Sequence, residues 1–459
     1  MKKGYKISKL FIGLAITCIV GACNAGTRDS ESLPNVIIIY TDDQGTIDVN
    51  CYGAGDLYTP NMDLLAETGT RFTQFYAAAC VCSPSRAALL TGLTPLNAGL
   101  PGNAPSMKGE AGLPSEKITI AEKLKDNAYV TGHVGKWHLG YTDETMPNGQ
   151  GFDYSFGHMG GCIDNYSHFF YWEGPNRHDL WENNKEVWMD GEYFQDIMSE
   201  KVNAFIEENM DTTFFLYYAI NMPHYPLQGT GKWRDYYDNL DSPRDKYAAC
   251  VSTVDERIGI LLNKLDELDL REQTIIIFQS DHGHSTETRT FGGGGDAGPY
   301  RGAKFSFFEG GIRVPAIISW PGMIPQKEVR DQMAINVDWF PTVLDLCNIQ
   351  YQDEAFAGKS LKDVIIDDAA TPHEVFCWHQ RKDYWAVRKG DWKLLRNPVD
   401  PTDKAPITKN DSLFLVNIHE NPDELENLAG QYPEKVDELR REYMDWYKRV
   451  VNNPTSAGR

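Results

Sequence analysis

Asn35-Val36-Ile37-Ile38-Ile39-Tyr40-Thr41-Asp42-Asp43-Gln44-Gly45 is the stretch on which the fold turns. It opens as a nearly continuous apolar run rich in β-branched side chains. Such a run marks a strand buried on both faces, as in a parallel sheet covered by helices. It stops at two adjacent carboxylates. One Asp at a strand end commonly caps a turn. Two in succession after a central strand more often bind a hard cation.

Two further runs of the same kind lie downstream. Phe214 to Asn221 ends in Met222-Pro223-His224, and Thr274 to Ser280 ends in Asp281-His282-Gly283-His284. A fourth strand, Tyr129 to Val134, runs into Gly135-Lys136-Trp137-His138-Leu139-Gly140. Lys136 and His138 sit two apart, so in extended chain they point to one side. The flanking glycines permit close backbone approach. Helical patterns at 59–70 (entered at Thr59-Pro60), Ile118–Lys125, Asp196–Glu208 and Val254–Leu268 separate the strands. The last of these carries apolar residues at 254, 258, 261, 262 and 265, the spacing of one helix face. Val314–Trp320 reads as another strand and Asp338–Leu346 as a helix.

Buried strands alternating with helices predict an α/β fold with a large, mainly parallel sheet flanked by helices. Ligands bind such sheets beyond the carboxyl ends of the strands, where Asp42, Asp43, His224, Asp281 and His282 all fall. From about residue 365 the pattern changes. Trp385–Arg388 and Trp392–Arg396 flank Lys389-Gly390-Asp391 as a hairpin. Leu413–Asn417 adds a strand, and a helix over Pro433–Val450 carries Val436, Leu439, Tyr443, Trp446 and Val450 on one face. We therefore expect a catalytic domain over 34–364 and a smaller antiparallel sheet with a packed helix over 365–459.

A second stretch carries the chemistry: Cys82-Ser83-Pro84-Ser85-Arg86-Ala87-Ala88-Leu89-Leu90-Thr91-Gly92. Pro84 suits a first helical turn, and Ser83 or Ser85 could cap it. Cys82 then sits at the positive end of a helix dipole with Arg86 one turn on, which makes an anion site. Taken alone, a cysteine in this place is most simply a buried residue of a helix-entry turn. The whole run is more specific. Cys-x-Pro-Ser-Arg followed by Leu-Thr-Gly resembles the signature of the type I sulfatases, within the alkaline-phosphatase-like superfold. The resemblance extends through separate motifs from Asn35 to about Ser319, and more loosely through Asp411–Leu428.

That resemblance implies a sulfuric ester hydrolase in which Cys82 is oxidised to Cα-formylglycine (3-oxoalanine). The partner for this step would be a formylglycine-generating or anaerobic sulfatase-maturing enzyme. It implies that Asp42, Asp43, Asp281 and His282 hold one Ca²⁺. His282 departs from relatives that carry Asn here, and imidazole is the softer ligand. It further implies an anion pocket of Arg86, Lys136, His138, His224 and Lys304. In that pocket Lys136 and Lys304 hold sulfate oxygens, His224 with Lys304 protonates the departing oxygen, and His138 takes the proton that expels sulfate.

The chain has 459 residues and a formal charge of 44 − 65 = −21, which excludes a nucleic-acid partner. The same charge disfavours processive work on highly sulfated polymers. Lys2, Lys3, Lys6 and Lys9, the apolar run Leu10–Val20, and Gly21-Ala22-Cys23 read as an export signal over 1–22. Val20-Gly21-Ala22-Cys23 resembles a lipobox. Cys23 is then a lipidation site, 24–33 a tether, and the protein is expected in the periplasm or at the cell surface, held to the outer membrane by its lipid. Plain secretion, with cleavage near Ala22 or Ala25, is the alternative. Beyond Cys18, Cys23 and Cys82, six cysteines remain, as disulfides or as buried thiols.

Residues 150–195, rich in aromatics, Gly, His and Asn, read as long loops over the site. From these and the 284–301 segment we select Asn165, His168, His284 and Arg301 as substrate-binding residues. The expected substrate is a sulfated carbohydrate, with galactose or N-acetylgalactosamine preferred. Competing readings are a phosphomonoester or phosphodiester hydrolase on the same scaffold, a non-catalytic glycan-binding lipoprotein, and a hydrolase using unmodified Cys82.

Overall fold

The apolar run that opens the folded chain is strand β1 (Asn35–Asp42), with every residue buried. In the computed structural model, which describes residues 33–172, 174–352, 356–381 and 383–452 together with positions 1 and 4, β1 lies near the centre of a ten-stranded sheet. The other strands are β2 (Gly69–Phe72), β3 (Val130–Lys136), β4 (Tyr154–His158), β5 (Trp181–Glu182), β6 (Lys185–Glu186), β7 (Phe214–Pro223), β8 (Thr274–Ser280), β9 (Ala316–Ser319) and β10 (Glu328–Arg330). Their order is β10-β2-β9-β8-β1-β7-β3-β4-β5-β6. The five strands from β8 to β4 are parallel. Antiparallel pairings at β9 and β5 make the sheet mixed toward its edges.

Alternation along β1 sends side chains to two different layers. Ile37 and Ile39 join the large cluster built on helices α1 (Pro60–Glu67), α4 (Phe194–Glu208) and α5 (Arg244–Glu267). On the other face Tyr40 shares a 2.9 Å hydrogen bond with Ser85 of helix α2 (Cys82–Thr91). Helix α3 (Ile120–Lys125) precedes β3 and starts with a capping box between Thr119 and Glu122. Helix α6 (Trp339–Leu346) follows the last strands of the sheet. The four strands whose ends carry polar motifs, β8, β1, β7 and β3, are immediate neighbours, so one rim of the sheet collects them all.

The predicted elements recur, with some differences. The 150–195 segment is not all loop: it supplies β4 and short pairings that extend the sheet. Helix α5 starts at Arg244 rather than Val254, and a further short helix spans Gly231–Tyr236. Both begin in polar stretches, where apolar periodicity is silent. The described cysteines are all free thiols, and six of the seven are buried. The export signal and Cys23 lie outside the described residues.

The C-terminal sheet has four antiparallel strands, β11 (Val375–Arg381), β12 (Tyr384–Lys389), β13 (Trp392–Arg396) and β14 (Leu413–Asn417). One face packs on helix α7 (Pro433–Asn452), with Trp385 stacked on Tyr443 at 3.9 Å. The other face packs Trp378, Ala386 and Leu395 against Tyr76 and Phe308 of the main body. Within that contact Lys393 is fully buried, with Nζ 2.6 Å from Glu309 and 2.8 Å from Glu424. Removing this buried cation leaves Glu424 without its counter-charge and Glu309 with Arg313 alone among the described residues. Lys393→Met is therefore expected to lower unfolding stability by about 3–5 kcal/mol, read as a lower denaturation midpoint at unchanged slope.

Candidate active site

Cys82 is the first residue of α2, and Gly92 ends the helix in the left-handed region at φ 65°. No side chain caps the start. Ser83 and Ser85, expected as caps, instead tie the helix to the strand ends. Ser83 Oγ donates to the carbonyl of His138 at 2.6 Å, and Ser85 Oγ donates to the carbonyl of Asp281 at 2.6 Å. The glycines around Lys136 are required by crowding. A Cβ at Gly135 would lie 2.0 Å from the carbonyl oxygen of Ala219, and one at Gly140 would lie 2.3 Å from Thr145 Oγ1.

Around Cys82 the structure gathers Asp42, Asp43, Arg86, Lys136, His138, His224, Asp281, His282 and Lys304, each no more than 5% exposed. Cys82 Sγ lies 3.7 Å from Asp42 Oδ1 and 3.4 Å from His282 Nε2. Lys136 Nζ donates to Asp42 at 2.5 Å, and Lys304 Nζ reaches both oxygens of Asp43 at 2.8 and 3.0 Å. Arg86 donates to Asp281 at 3.1 Å and to the carbonyl of Lys136 at 3.2 Å. His224 Nε2 stands 3.7 Å from Asp43, with its Nδ1 donating to the carbonyl of Tyr225 at 2.9 Å. His138 adopts φ 57°, and its Nδ1 has no partner. Its ring is covered by Gly161, where a Cβ would sit 3.0 Å away.

The charges act on one another strongly. Burial alone would raise the Cys82 thiol, but Lys136 and Lys304 outweigh it and hold the group at about 6. Burial disfavours a charged His282, yet Asp281, Cys82 and Asp43 pull it up to about 9. Burial pushes Asp43 up to about 7, against Lys304 and His282. His138 and His224 are pushed well below the usual histidine range, by burial first.

The donor set suits a divalent ion. His282 Nδ1 donates to the carbonyl of Gly283 at 2.9 Å, which turns Nε2 toward Asp43 and Asp281, each at 3.6 Å. Asp42, Asp281, His282 and Cys82 offer ligand atoms within 4.8 Å of one another, all buried. The carboxylates that favour a proton on His282 would favour a cation beside it as well.

The family model described as Sulfatase matches residues 34–349. The chain belongs to the sulfatase family. A second model, described as N-sulphoglucosamine sulphohydrolase, C-terminal, matches residues 302–448. This sulfatase is 32% identical to human arylsulfatase A over 454 residues, covering 89% of this chain and 86% of the relative. It is 29% identical to the N-acetylgalactosamine-6-O-sulfatase of Bacteroides thetaiotaomicron, covering 96% and 98%. The crystal structure of Ps i-CgsB in complex with k-i-k-neocarrahexaose is similar at a TM-score of 0.80 and 30% identity, covering 90% and 93%. This sulfatase is accordingly a sulfuric ester hydrolase.

Above Cys82 opens a cleft of about 310 Å³. Its walls include Asn103, Ser106, His138, Cys162, Phe170, Trp172, His224, Tyr225, Arg289, Lys304 and Phe305. The four residues selected from the sequence as substrate-binding are not among them. Asn165 is fully buried and hydrogen-bonded to Gln195, Asn221 and Gln228. Arg301 is fully buried and spends its guanidinium on Asp400 and the carbonyls of Ala405 and Glu424. His284 is 7% exposed, with its ring nitrogen Nδ1 unpartnered. His168 is fully buried, with Nε2 at the carbonyl of Glu192.

The residues missed are Trp172, Tyr225 and Arg289. The Arg289 guanidinium lies 3.3 Å from the Trp172 ring and 4.3 Å from the Tyr225 ring. Tyr225 in turn lies 4.0 Å from the His224 ring. A stack thus runs from the rim to the histidine at the floor. Trp172 is 53% exposed. Its place in an aromatic-rich segment was a signal, but nothing in the sequence set it apart from its neighbours.

Proposed function

We propose that this sulfatase removes a sulfate ester from a carbohydrate, galactose or N-acetylgalactosamine, with Cys82 as formylglycine and Ca²⁺ at Asp42, Asp43, Asp281 and His282. The supporting observation is the position of Cys82, between a carboxylate cluster and the Lys136–Lys304 pair on the floor of a sugar-sized cleft. Relatives named for N-acetylgalactosamine sulfate and a neighbour crystallised with neocarrahexaose favour a carbohydrate.

Hydrated formylglycine supplies two hydroxyls, one to attack sulfur and one whose proton release expels sulfate; the ion supplies positive charge beside them. Arg86 and Lys136 hold Asp281 and Asp42 in place around position 82. Lys136 and Lys304 offer charge to the sulfate oxygens as they gain electron density. His224 lines the same cleft and would protonate the leaving sugar oxygen. His138, with its ring on the cleft wall, is placed to accept the proton of the second hydroxyl. Conversion of Cys82 requires a maturing enzyme as partner, and lipid on Cys23 would hold the exported protein to the outer membrane.

The test compares kcat/KM on sulfated galactose and N-acetylgalactosamine with the corresponding phosphate monoesters. Sulfate esters are expected to be preferred strongly; preference for phosphate would favour the phosphatase reading. In the same assay Trp172→Ala is expected to lower kcat/KM on a sulfated oligosaccharide by roughly tenfold, the loss of one stacking contact of about 1.4 kcal/mol. An aryl sulfate too small to reach the rim should be unaffected.

A further inference from the structure

A second cluster lies beside the cleft wall and takes no part in the chemistry above. The short antiparallel pair Phe169–Phe170 with Arg177–His178 brings His168 and His178 to its ends. Both are buried, at 0% and 4% exposure. His178 Nδ1 meets Glu186 Oε1 at 3.0 Å, and His168 Nε2 meets the carbonyl of Glu192 at 3.1 Å. A carboxylate and a carbonyl can only accept, so these two nitrogens carry the hydrogens. In the neutral rings the lone pairs then fall on His178 Nε2 and His168 Nδ1. Both atoms are buried without a hydrogen-bond partner. Asp190 Oδ1 stands 4.0 Å from His178 Nε2, and its side chain is 59% exposed. One ring nitrogen from each histidine and one oxygen of Asp190 lie within 4.8 Å of one another.

We propose that His168, His178 and Asp190 form a binding site for a divalent transition ion of the Zn²⁺ class. Two imidazoles and one carboxylate are a borderline donor set that Zn²⁺ accepts and Ca²⁺ does not favour. The outer contacts fit as well. A metal-bound histidine usually donates its other N–H to a carboxylate or carbonyl, and both rings here do so. Ligands around a tetrahedral Zn²⁺ at about 2.0–2.1 Å stand roughly 3.3 Å apart. The present spacing closes to that with side-chain shifts of about an ångström, which exposed Asp190 is free to make. A contact between Asp190 and His178 alone would leave the buried Nδ1 of His168 without a role, whereas an ion engages both rings.

The site has a structural consequence. Phe170 and Trp172, two cleft walls, lie on the hairpin that His168 and His178 close. An ion at its base would fix that wall.

The test uses the full chain saturated with Ca²⁺ and titrated with Zn²⁺ against a chromophoric chelator. The wild type is expected to take up one equivalent more than Asp190→Asn or His178→Gln. Glu186→Gln, which touches the contact to His178 Nδ1 and an exposed ion pair with Lys108 but none of the three ligands, should weaken that equivalent by about 10–100-fold. Zn²⁺ should raise the melting temperature of the wild type and leave Asp190→Asn unmoved. Asp190 is exposed, so that variant keeps the fold. Equal Zn²⁺ uptake and equal melting shifts in all proteins would overturn the proposal. The readout is ion binding, so it stands apart from the substrate assigned to the cleft.

Discussion

Cys82→Ala is expected to abolish turnover of a sulfated sugar, with a loss on the order of 10⁵-fold or more, as when a covalent nucleophile is removed. The fold should survive. The side chain is small, and the helix start is tied down by Ser83 and Ser85 rather than by the thiol. Loss of activity alone would not separate formylglycine from an ordinary thiol nucleophile. The mass of the peptide carrying position 82 in the wild type does. Conversion replaces sulfur by oxygen and removes two hydrogens; an unmodified peptide in an active enzyme would sink the formylglycine reading. The charges around position 82 suit an uncharged aldehyde better than a thiol. With the thiol held at about 6, unmodified Cys82 is an anion at neutral pH. It would then compete with the sulfate group for Lys136 and Lys304. An aldehyde carries no charge and leaves both ammonium groups to the substrate.

Much of this arrangement was legible in the sequence. The reason is topological. Three strands read as buried from their apolar runs and a fourth, Tyr129–Val134, simply as a strand, and their polar ends converge because parallel neighbours place their carboxyl ends on one rim. Asp42, Lys136, His224 and Asp281 needed no side-chain prediction beyond strand register. Cleft walls obey no such rule. Arg301 and Arg289 belong to one loop and look equivalent as sequence, yet Arg301 is buried against Asp400 while Arg289 lies between two aromatic rings at the rim. Partners about a hundred positions away in the chain, or on another loop, decide which way each points. The short strands β5 and β6 were missed for a related reason. Two-residue pairings carry no periodicity, and their register comes from packing on β4.

Substituting His224 by Ala should separate two substrates that differ only in their leaving group. On a sugar sulfate the departing alkoxide is strongly basic and needs a proton as the S–O bond breaks. Loss of a positioned acid is then expected to cost about 10²–10⁴-fold in kcat. On a sulfate ester of an acidic phenol the departing phenoxide is stable unprotonated, and the loss should shrink to within about tenfold of wild type. The geometry supports the assignment. His224 Nε2 faces the cleft 3.7 Å from Asp43 while its Nδ1 donates to the carbonyl of Tyr225, so Nε2 can donate only from the doubly protonated ring, a state that burial opposes and a bound sulfate anion would favour. Lys304 sits on the same carboxylate and could share the proton. Lys304 also holds the sulfate in the proposed mechanism, so its removal should impair both substrates alike. A His224→Ala loss of equal size on sugar and phenol esters would assign this ring to binding, and the acid would have to be sought at Lys304.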